Sequence, residues 1–318
     1  MLLTLLLSSL LTFVELNCEN LFDTHHDSLK NDVEFLPTGQ YRWTPTRYWR
    51  KLNQLSQELI ALGSKPGDKQ WQIPDIVALC EVENDTVMHD LTKRSLLRGA
   101  GYEYLMTSSQ DERGIDVALM YIPSSFRPMR HYPLRIAPLP TMRPTRDVLY
   151  VCGRIETGDS LHIFVVHAPS RRGGELQSRP YRMSVIQRIT HAVDSIYAIE
   201  PDAHILVAGD FNDYSDSPTI QALCQGQRLV EISLHADGWH GAHATYRWHG
   251  EWRSLDHIFC SKPLSQRSRD CYIGDLPFLL EEDEKYGGVK PRRTYLGPKY
   301  LGGYSDHLPL VAHFNLDN

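Results

Sequence analysis

The 318-residue sequence lacks the patterns that define several large protein classes. No apolar run is long enough to span a bilayer, which argues against an integral membrane protein. Its six cysteines are scattered without a Cys-x-x-Cys pair, which argues against a zinc ribbon or a dense disulfide framework, and most are expected to be buried. A net charge of -6 removes the simple argument for a basic nucleic-acid-binding module, but it does not exclude a nucleic-acid substrate.

Common motifs of enzyme active sites are absent as well. The sequence contains no Gly-x-Ser-x-Gly elbow, no Walker phosphate loop, no His-Glu-x-x-His zinc motif and no glycine fingerprint of dinucleotide binding. None of these motifs therefore offers a different active site from the acids, amides and imidazoles that follow several apolar runs.

The first eleven residues resemble the apolar core of a secretion signal. However, no Lys or Arg precedes this stretch and no small-residue cleavage site follows it. Two alternatives stay open: an exported or periplasmic protein in which residues 1–11 are a leader remnant, and a cytoplasmic protein. With 42% hydrophobic residues and neither an internal repeat nor a linker-like segment, we expect one domain over residues 1–318, acting as a monomer.

Short β-branched runs alternate with helical patterns, which is typical of a layered α/β architecture. Helices are predicted at residues 48–62 and 178–199, the second with Ser178 as N-cap and Pro180 in its first turn. Residues 157–159 are predicted to form a hairpin turn. Strands are predicted at residues 12–16, 76–79, 116–121, 149–155, 161–166, 205–208, 256–260 and 310–314. Irregular loops are predicted at residues 23–46, 123–147 and 271–303.

Polar residues stand beside the ends of the predicted strands. Carboxylates, amides and imidazoles at such positions suit a magnesium-dependent phosphoesterase, which needs oxygen ligands for the metal, amide donors for phosphate and histidines for proton transfer. Structural alternatives exist for each: turns, solvated acids, or a histidine packed in the core. The residues concerned are Asn17, Glu81, His167, Gly209-Asp210-Phe211-Asn212, Asp256-His257 and Ser305-Asp306-His307.

These motifs, in this order, resemble the endonuclease/exonuclease/phosphatase superfamily, and the resemblance extends from Asn17 to His307. It implies a four-layer α/β sandwich, with two mixed β-sheets packed face to face and helices on the outside. It also implies a metal-dependent hydrolase of phosphoester bonds that uses Mg²⁺, with Mn²⁺ as an alternative.

The resemblance assigns roles on the metal side of the site. Glu81 resembles the principal magnesium ligand, with Asn17 and Asp306 beside it to bind the metal, its water or a phosphate oxygen. Asp210 resembles the acid that orients or deprotonates the attacking water, although some members use this position for the metal. Asn212 would donate a hydrogen bond to the phosphate.

The resemblance also assigns the imidazoles. His307 resembles the active-site histidine, and Asp256 would hold its other ring nitrogen. His167 matches the second histidine of the deoxyribonuclease and sphingomyelinase branches, where Asp116 would be its partner, and this argues against an abasic-site enzyme. Arg171 and Arg172, followed by two glycines, are predicted to contact substrate, with a solvated loop as the alternative.

Three functions fit these residues. We expect a phosphodiesterase or nuclease that acts by direct attack of water, with a phosphoester substrate and nucleic acid as one candidate. The alternative is a phosphatase or phospholipase C-type enzyme acting on a small phosphorylated metabolite, an inositol phosphate or a sphingolipid. A non-catalytic binding protein on the same fold is the third.

Overall fold

The computed structural model describes residues 10–65 and 71–316, so the predicted leader lies outside the described residues except for its last two, which begin the first strand. The strands in chain order are β1 (Leu10–Leu21), β2 (Ile76–Val82), β3 (Glu103–Met106), β4 (Asp116–Tyr121), β5 (Phe126–Leu134), β6 (Val148–Ile155), β7 (Ser160–His167), β8 (His204–Asp210), β9 (Val230–Glu231), β10 (Tyr246–Trp248), β11 (Glu251–Arg253), β12 (Asp256–Cys260), β13 (Ser268–Ile273), β14 (Leu280–Glu282), β15 (Val289–Pro291), β16 (Tyr295–Leu296), β17 (Lys299–Tyr300) and β18 (Leu310–Asn315). The α-helices are α1 (Pro45–Ala61), α2 (Asp85–His89), α3 (Glu175–Tyr197), α4 (Pro218–Cys224) and α5 (Lys262–Gln266). Short 3-10 turns cover Val33–Phe35, Leu96–Gly99, Gln225–Gln227 and Pro277–Leu279, and a π turn covers Asp90–Arg94.

Two large sheets organise these strands. The first has the order β13-β18-β1-β2-β4-β3 and the second the order β5-β6-β7-β8-β12-β9. The pairs β1–β2 and β7–β8 are parallel, whereas β1–β18 and β8–β12 are antiparallel, so both sheets are mixed. Parallel neighbours need a crossover connection, and helices α1 and α3 provide the two crossovers.

Alternating side chains in β1 show how the layers form. Leu11 and Phe13 face the second sheet and join the core between the sheets, whereas Val14 and Leu16 join the core beneath α1. On the outer face of the second sheet, residues of α3 such as Val185 pack on β7 and β8. The layers therefore run helix, sheet, sheet, helix, and the predicted four-layer α/β sandwich is confirmed.

All eight predicted strands lie within strands of the structure, but two of the predicted irregular loops contain further strands. Residues 123–147 include β5, whose Pro128 and Pro133 are compatible with a strand because β5 lies at the edge of its sheet. Residues 271–303 include the hairpins β14–β15 and β16–β17. These short strands are not predicted because their segments are rich in proline and glycine, which is typical of loops.

The second long helix begins earlier than predicted. Helix α3 starts at Glu175, with Gly174 at a φ of 114° as its cap, so Ser178 is not the N-cap. The Ser178 hydroxyl instead donates to the Gly174 carbonyl at 2.7 Å. In helix α1, Pro45 follows the Thr44 cap, which places the start three residues before the prediction. Among the described residues, no helix is long and apolar enough to cross a membrane.

Candidate active site

The predicted site residues of the first sheet meet at one edge. Asn17 lies near the end of β1, and the parallel neighbour β2 brings Glu81 to the same edge. The other neighbour, β18, runs antiparallel to β1, so the segment just before it, with Asp306 and His307, returns to that edge. The strand order therefore explains why residues far apart in sequence converge.

The second sheet contributes three residues to the same place. His167 ends β7, Asp210 ends β8 and Asp256 begins β12, and both His167 and Asp256 are register partners of Asp210. The Asn17 amide nitrogen donates to the Asp210 Oδ2 atom at 3.0 Å, which joins the two sheets across the core. The site is therefore built from both sheets.

Asp210 is a buried carboxyl group surrounded by donors. Its Oδ1 accepts from the Asn212 backbone at 2.7 Å, and the Asn212 side-chain amide lies 3.2 Å from its Oδ2. Burial and the neighbouring Asp256 carboxylate raise the pKa of Asp210 to about 7. Such a group exchanges a proton near neutral pH, which suits an acid that assists an attacking water.

Asn212 lies in the left-handed region at a φ of 51°, as expected for an Asx turn. Besides its contact with Asp210, its amide donates to the Ala168 carbonyl at 3.1 Å. In the structure, both amide hydrogens of Asn212 therefore hold the loop. The predicted donation from Asn212 to phosphate stays a prediction.

His307 and Asp256 form a buried acid–imidazole pair. The Nδ1 atom of His307 lies 2.7 Å from the Asp256 Oδ2, which also accepts a hydrogen bond from the Thr245 hydroxyl. Ser305 fixes this loop, because its hydroxyl donates to the Asn17 carbonyl at 2.6 Å and accepts from the His307 backbone. The Nδ1 contact leaves the Nε2 of His307 for a substrate.

The charge of this pair follows from its surroundings. Burial alone would lower the pKa of His307, but the Asp256 carboxylate, with Asp306 and Asp210 behind it, raises that pKa well above its usual value. His307 is therefore an imidazolium near neutral pH. Arg253 does not compete for Asp256, because it pairs with Asp216 at 3.1 Å.

His167 has a different environment. Its side chain is buried, and its Nε2 lies 3.7 Å from both Glu81 and Asp210. Burial and the guanidinium of Arg146 lower the pKa of His167 well below its usual value, so the ring is neutral. Its Nδ1 atom has no hydrogen-bond partner among the described residues.

The predicted bond between His167 and Asp116 is not present. The Asp116 carboxylate instead accepts from the Thr107 hydroxyl and from the Ser109 backbone at 3.1 Å. Asp116 lies in β4, on the far side of β2 from β1, and the loop after β3 satisfies its oxygens. The physical reason for the error is that a local turn competes for this carboxylate.

The donors predicted for a metal are oxygen atoms at the mouth of the site. Glu81 lies at a φ of 63°, and its Oε2 accepts from the Asn20 backbone at 2.7 Å. Asp306 contacts the Arg293 guanidinium at 2.8 Å. Both residues are partly exposed, and two carboxylates fit a hard divalent cation. Asn17 fits less well, because its Oδ1 already accepts from the backbone of residue 19 at 2.9 Å.

A compact group of potential ligands lies deeper. Ligand atoms of Asp210, Asp256 and His307 all lie within 4.8 Å of one another, and all three residues are buried. In this group the imidazole Nδ1 already contacts Asp256, and Asp210 accepts from two asparagines. We interpret the group as proton-transfer machinery, with the partly exposed carboxylates Glu81 and Asp306 as the metal side.

The two predicted substrate arginines lie on the loop between β7 and α3. Arg172 is exposed, and the Arg171 guanidinium lies 4.3 Å from the centre of the Tyr214 ring. Arg253 contacts the same ring at 3.7 Å. Cation–π contact with Tyr214 thus orders Arg171 at the surface, and its contact with substrate stays a prediction.

The sequence alone assigns no role to three residues that lie at the site. Glu19 is buried, and its carboxylate accepts from the backbone of Thr294 and Tyr295. Arg293 contacts Asp306, and the Tyr246 ring centre lies 4.9 Å from that of His307. The position of Glu19 two residues after Asn17 was an available signal, whereas the Arg293 loop carried none.

The sequence matches a family model over residues 12–316, which is nearly the whole described chain. The model is that of the endonuclease/exonuclease/phosphatase family. The chain belongs to this family. The predicted membership is confirmed, and the protein is a metal-dependent hydrolase of phosphoester bonds.

Solved structures of other family proteins share the fold at low identity. A family protein from Bacteroides thetaiotaomicron is 13% identical, with a TM-score of 0.63 over 98% of this chain and 99% of its own. A mannosyl-6-phosphatase from the same organism is 15% identical, with a TM-score of 0.63 over 95% and 98%. TDP2 from D. rerio, complexed with a single-strand DNA product, is 16% identical, with a TM-score of 0.56 over 96% and 99%. No curated protein matches the sequence.

Proposed function

We propose that this protein is a magnesium-dependent phosphodiesterase that acts as a nuclease, and that water attacks phosphorus directly without a covalent enzyme intermediate. The observation that carries the proposal is that two hydrogen-bonded pairs of side chains, Asn17–Asp210 and Asp256–His307, lie together at one edge of the sandwich. Asn17 holds Asp210 at 3.0 Å, and Asp256 holds His307 at 2.7 Å. One pair presents a base with a pKa near neutrality and the other presents an imidazolium.

The residues divide the chemistry between them. Asp210, unprotonated above pH 7, orients the water and accepts its proton. Asn17 and Asn212 donate to Asp210 and fix the orientation of its carboxylate. His307 donates a hydrogen bond from Nε2 to a phosphate oxygen, where negative charge develops as the water oxygen bonds to phosphorus. The P–O bond to the leaving group breaks, and the departing alkoxide takes up a proton from solvent.

Glu81 and Asp306 would hold the magnesium ion, for which manganese is the alternative. A bound ion supplies charge neutralisation at the phosphoryl oxygens. Glu81 is held by the Asn20 backbone, and Asp306 by Arg293, so both carboxylates are oriented by this chain before any ion binds.

Aromatic side chains beside His307 support a nucleic-acid substrate. Tyr246 forms a backbone bridge with His307, and Trp248 follows two residues later on the same face of β10. Trp248 is 57% exposed and stacks on His249 at 4.6 Å, with Tyr286 beyond it. Exposed stacked rings next to a phosphate site suit a nucleobase.

The test is a substrate panel with the purified protein and Mg²⁺. We expect hydrolysis of bis-p-nitrophenyl phosphate and of single-stranded DNA or RNA, loss of activity with a chelator, and loss in Asp210→Asn and His307→Gln. His313→Gln is the matched control, because His313 contacts Asp270 at 2.6 Å near the opposite end of β18.

Two outcomes would contradict the proposal. Release of inorganic phosphate from hexose phosphates or other monoesters, with every diester intact, would favour the phosphatase alternative. A folded protein that is inert on all phosphoesters would leave only the binding function.

A further inference from the structure

The loop that carries Arg293 is clamped onto the active-site edge of β1. Glu19 in β1 accepts from the backbone of Thr294 and Tyr295, the two residues that follow Arg293. On the return path, the Gly303 backbone donates to the Arg293 carbonyl at 3.2 Å. A Cβ at Gly303 would lie 2.0 Å from the Arg292 carbonyl oxygen, so this crossing tolerates only glycine. The main chain of Arg293 is therefore held from both sides.

This clamp places the Arg293 side chain beside Asp306, on the loop that carries His307. Its Nη2 donates to the Asp306 Oδ2 at 2.8 Å, immediately before His307, and its Nε lies 3.8 Å from the Glu19 carboxylate. About a quarter of the side chain, 27%, is accessible. The partly accessible Arg293 side chain therefore lies beside Asp306, the residue next to His307.

The guanidinium has more donors than this contact uses. A guanidinium carries five N–H groups, and the contact with Asp306 engages only Nη2. The Nε atom is buried without a hydrogen-bond partner among the described residues. The Asp306 contact is not needed to hold the loop, because Glu19 and Gly303 already fix the main chain, and the Arg293 side chain remains partly accessible.

We propose that Arg293 is a substrate-binding residue whose Nη N–H groups not used by Asp306 contact the non-bridging oxygens of the scissile phosphate, while Nη2 holds Asp306. The planar guanidinium matches two phosphate oxygens, which a lysine ammonium cannot do. The inference rests on the proposed phosphoesterase function, and it adds an anion contact to that same site.

The test measures binding of inorganic phosphate by titration calorimetry, with and without Mg²⁺, alongside kcat and KM on the diester. Charged hydrogen bonds of this kind predict that Arg293→Ala weakens phosphate binding about 10- to 100-fold and raises KM more than it lowers kcat. Arg293→Lys, which keeps the charge beside Asp306, should give a smaller loss of the same kind. Arg292→Ala is the matched control, because Arg292 is exposed and lies over the Tyr304 ring at 5.9 Å.

A second comparison tests whether Arg293 contacts phosphate itself or acts only by holding Asp306 in place. We expect Arg293→Ala to weaken phosphate binding in an Asp306→Asn background as it does in the parent protein. Loss of the effect in that background, or an effect no larger than that of Arg292→Ala, would overturn the proposal. If Arg293→Ala fails to fold, Arg293→Lys decides: unchanged phosphate binding overturns the proposal. Absence of hydrolysis by the parent protein bears on the proposed function, since phosphate binding is read without turnover.

Discussion

Replacing Asp256 by asparagine tests the acid–imidazole pair directly. The change keeps the shape of the side chain but removes the charge that faces His307 at 2.7 Å. Both residues are buried, with exposures of 0% and 6%. Hydrogen bonds to a charged group contribute about 1.5–3 kcal/mol, so we expect kcat to fall about 10- to 100-fold.

The pH dependence gives the sign of the effect. Asp256 raises the pKa of His307 against the opposing influence of burial. Without that carboxylate, burial dominates, the pKa falls, and the imidazolium is lost at lower pH. The alkaline limb of the kcat/KM profile should therefore move to lower pH in Asp256→Asn, and NMR titration of the histidine ring should show the same shift.

A second acid–imidazole pair provides the control. Asp270 contacts His313 at 2.6 Å near the opposite end of β18, so Asp270→Asn removes a similar pair without touching the site. We expect that variant to keep the parent profile. An alkaline limb that stays in place in Asp256→Asn, with kcat close to the parent value, would refute the reasoning.

Three further predictions concern the base, the metal and the backbone. The pKa of Asp210 is raised to about 7, so kcat/KM should increase as pH rises through 7. If the residual activity of Asp210→Asn shows the same increase on the acid side of its pH profile, Asp210 is not the base. Glu81→Gln should weaken Mg²⁺ binding in calorimetry at least about tenfold, whereas the exposed Glu112→Gln should not; equal affinities would exclude Glu81 as a ligand. A Cβ at Gly209 would lie 1.9 Å from a carbonyl oxygen of β7, whereas Gly158 has nothing within 4 Å. Gly209→Ala should therefore lower the melting temperature far more than Gly158→Ala, and similar losses would contradict this.

The layered fold could be predicted because its signals are local. Buried strands such as β7 and β8 are short apolar runs, and helices α1 and α3 carry their own periodic pattern. Edge elements carry weaker signals, so the sequence of β5, with its two prolines, predicts a loop. The predicted start of α3 is wrong because Gly174, rather than Ser178, caps the helix.

The site could be predicted only where residues follow strand ends. Asp256 and His307 are 51 positions apart, yet each adjoins a strong strand pattern. The contacts of Glu19 with the loop near residue 294 join segments 275 positions apart, and no periodic pattern marks that loop. For Asp116 the sequence predicts a contact with His167 that the structure does not have, because donors in the neighbouring turn bind the carboxylate.

The return of β18 to the side of β1 has a consequence for how the protein is made. Strands β5 to β8 and β12 of the second sheet precede β18 in the chain, so they can pair while translation continues. Until β18 emerges, one edge of β1 has no partner and His307 is absent. Until then the nascent chain lacks the imidazolium of His307, and the unpaired edge of β1 favours aggregation. Synthesis of the segment from His307 through β18 supplies the catalytic histidine and covers that edge.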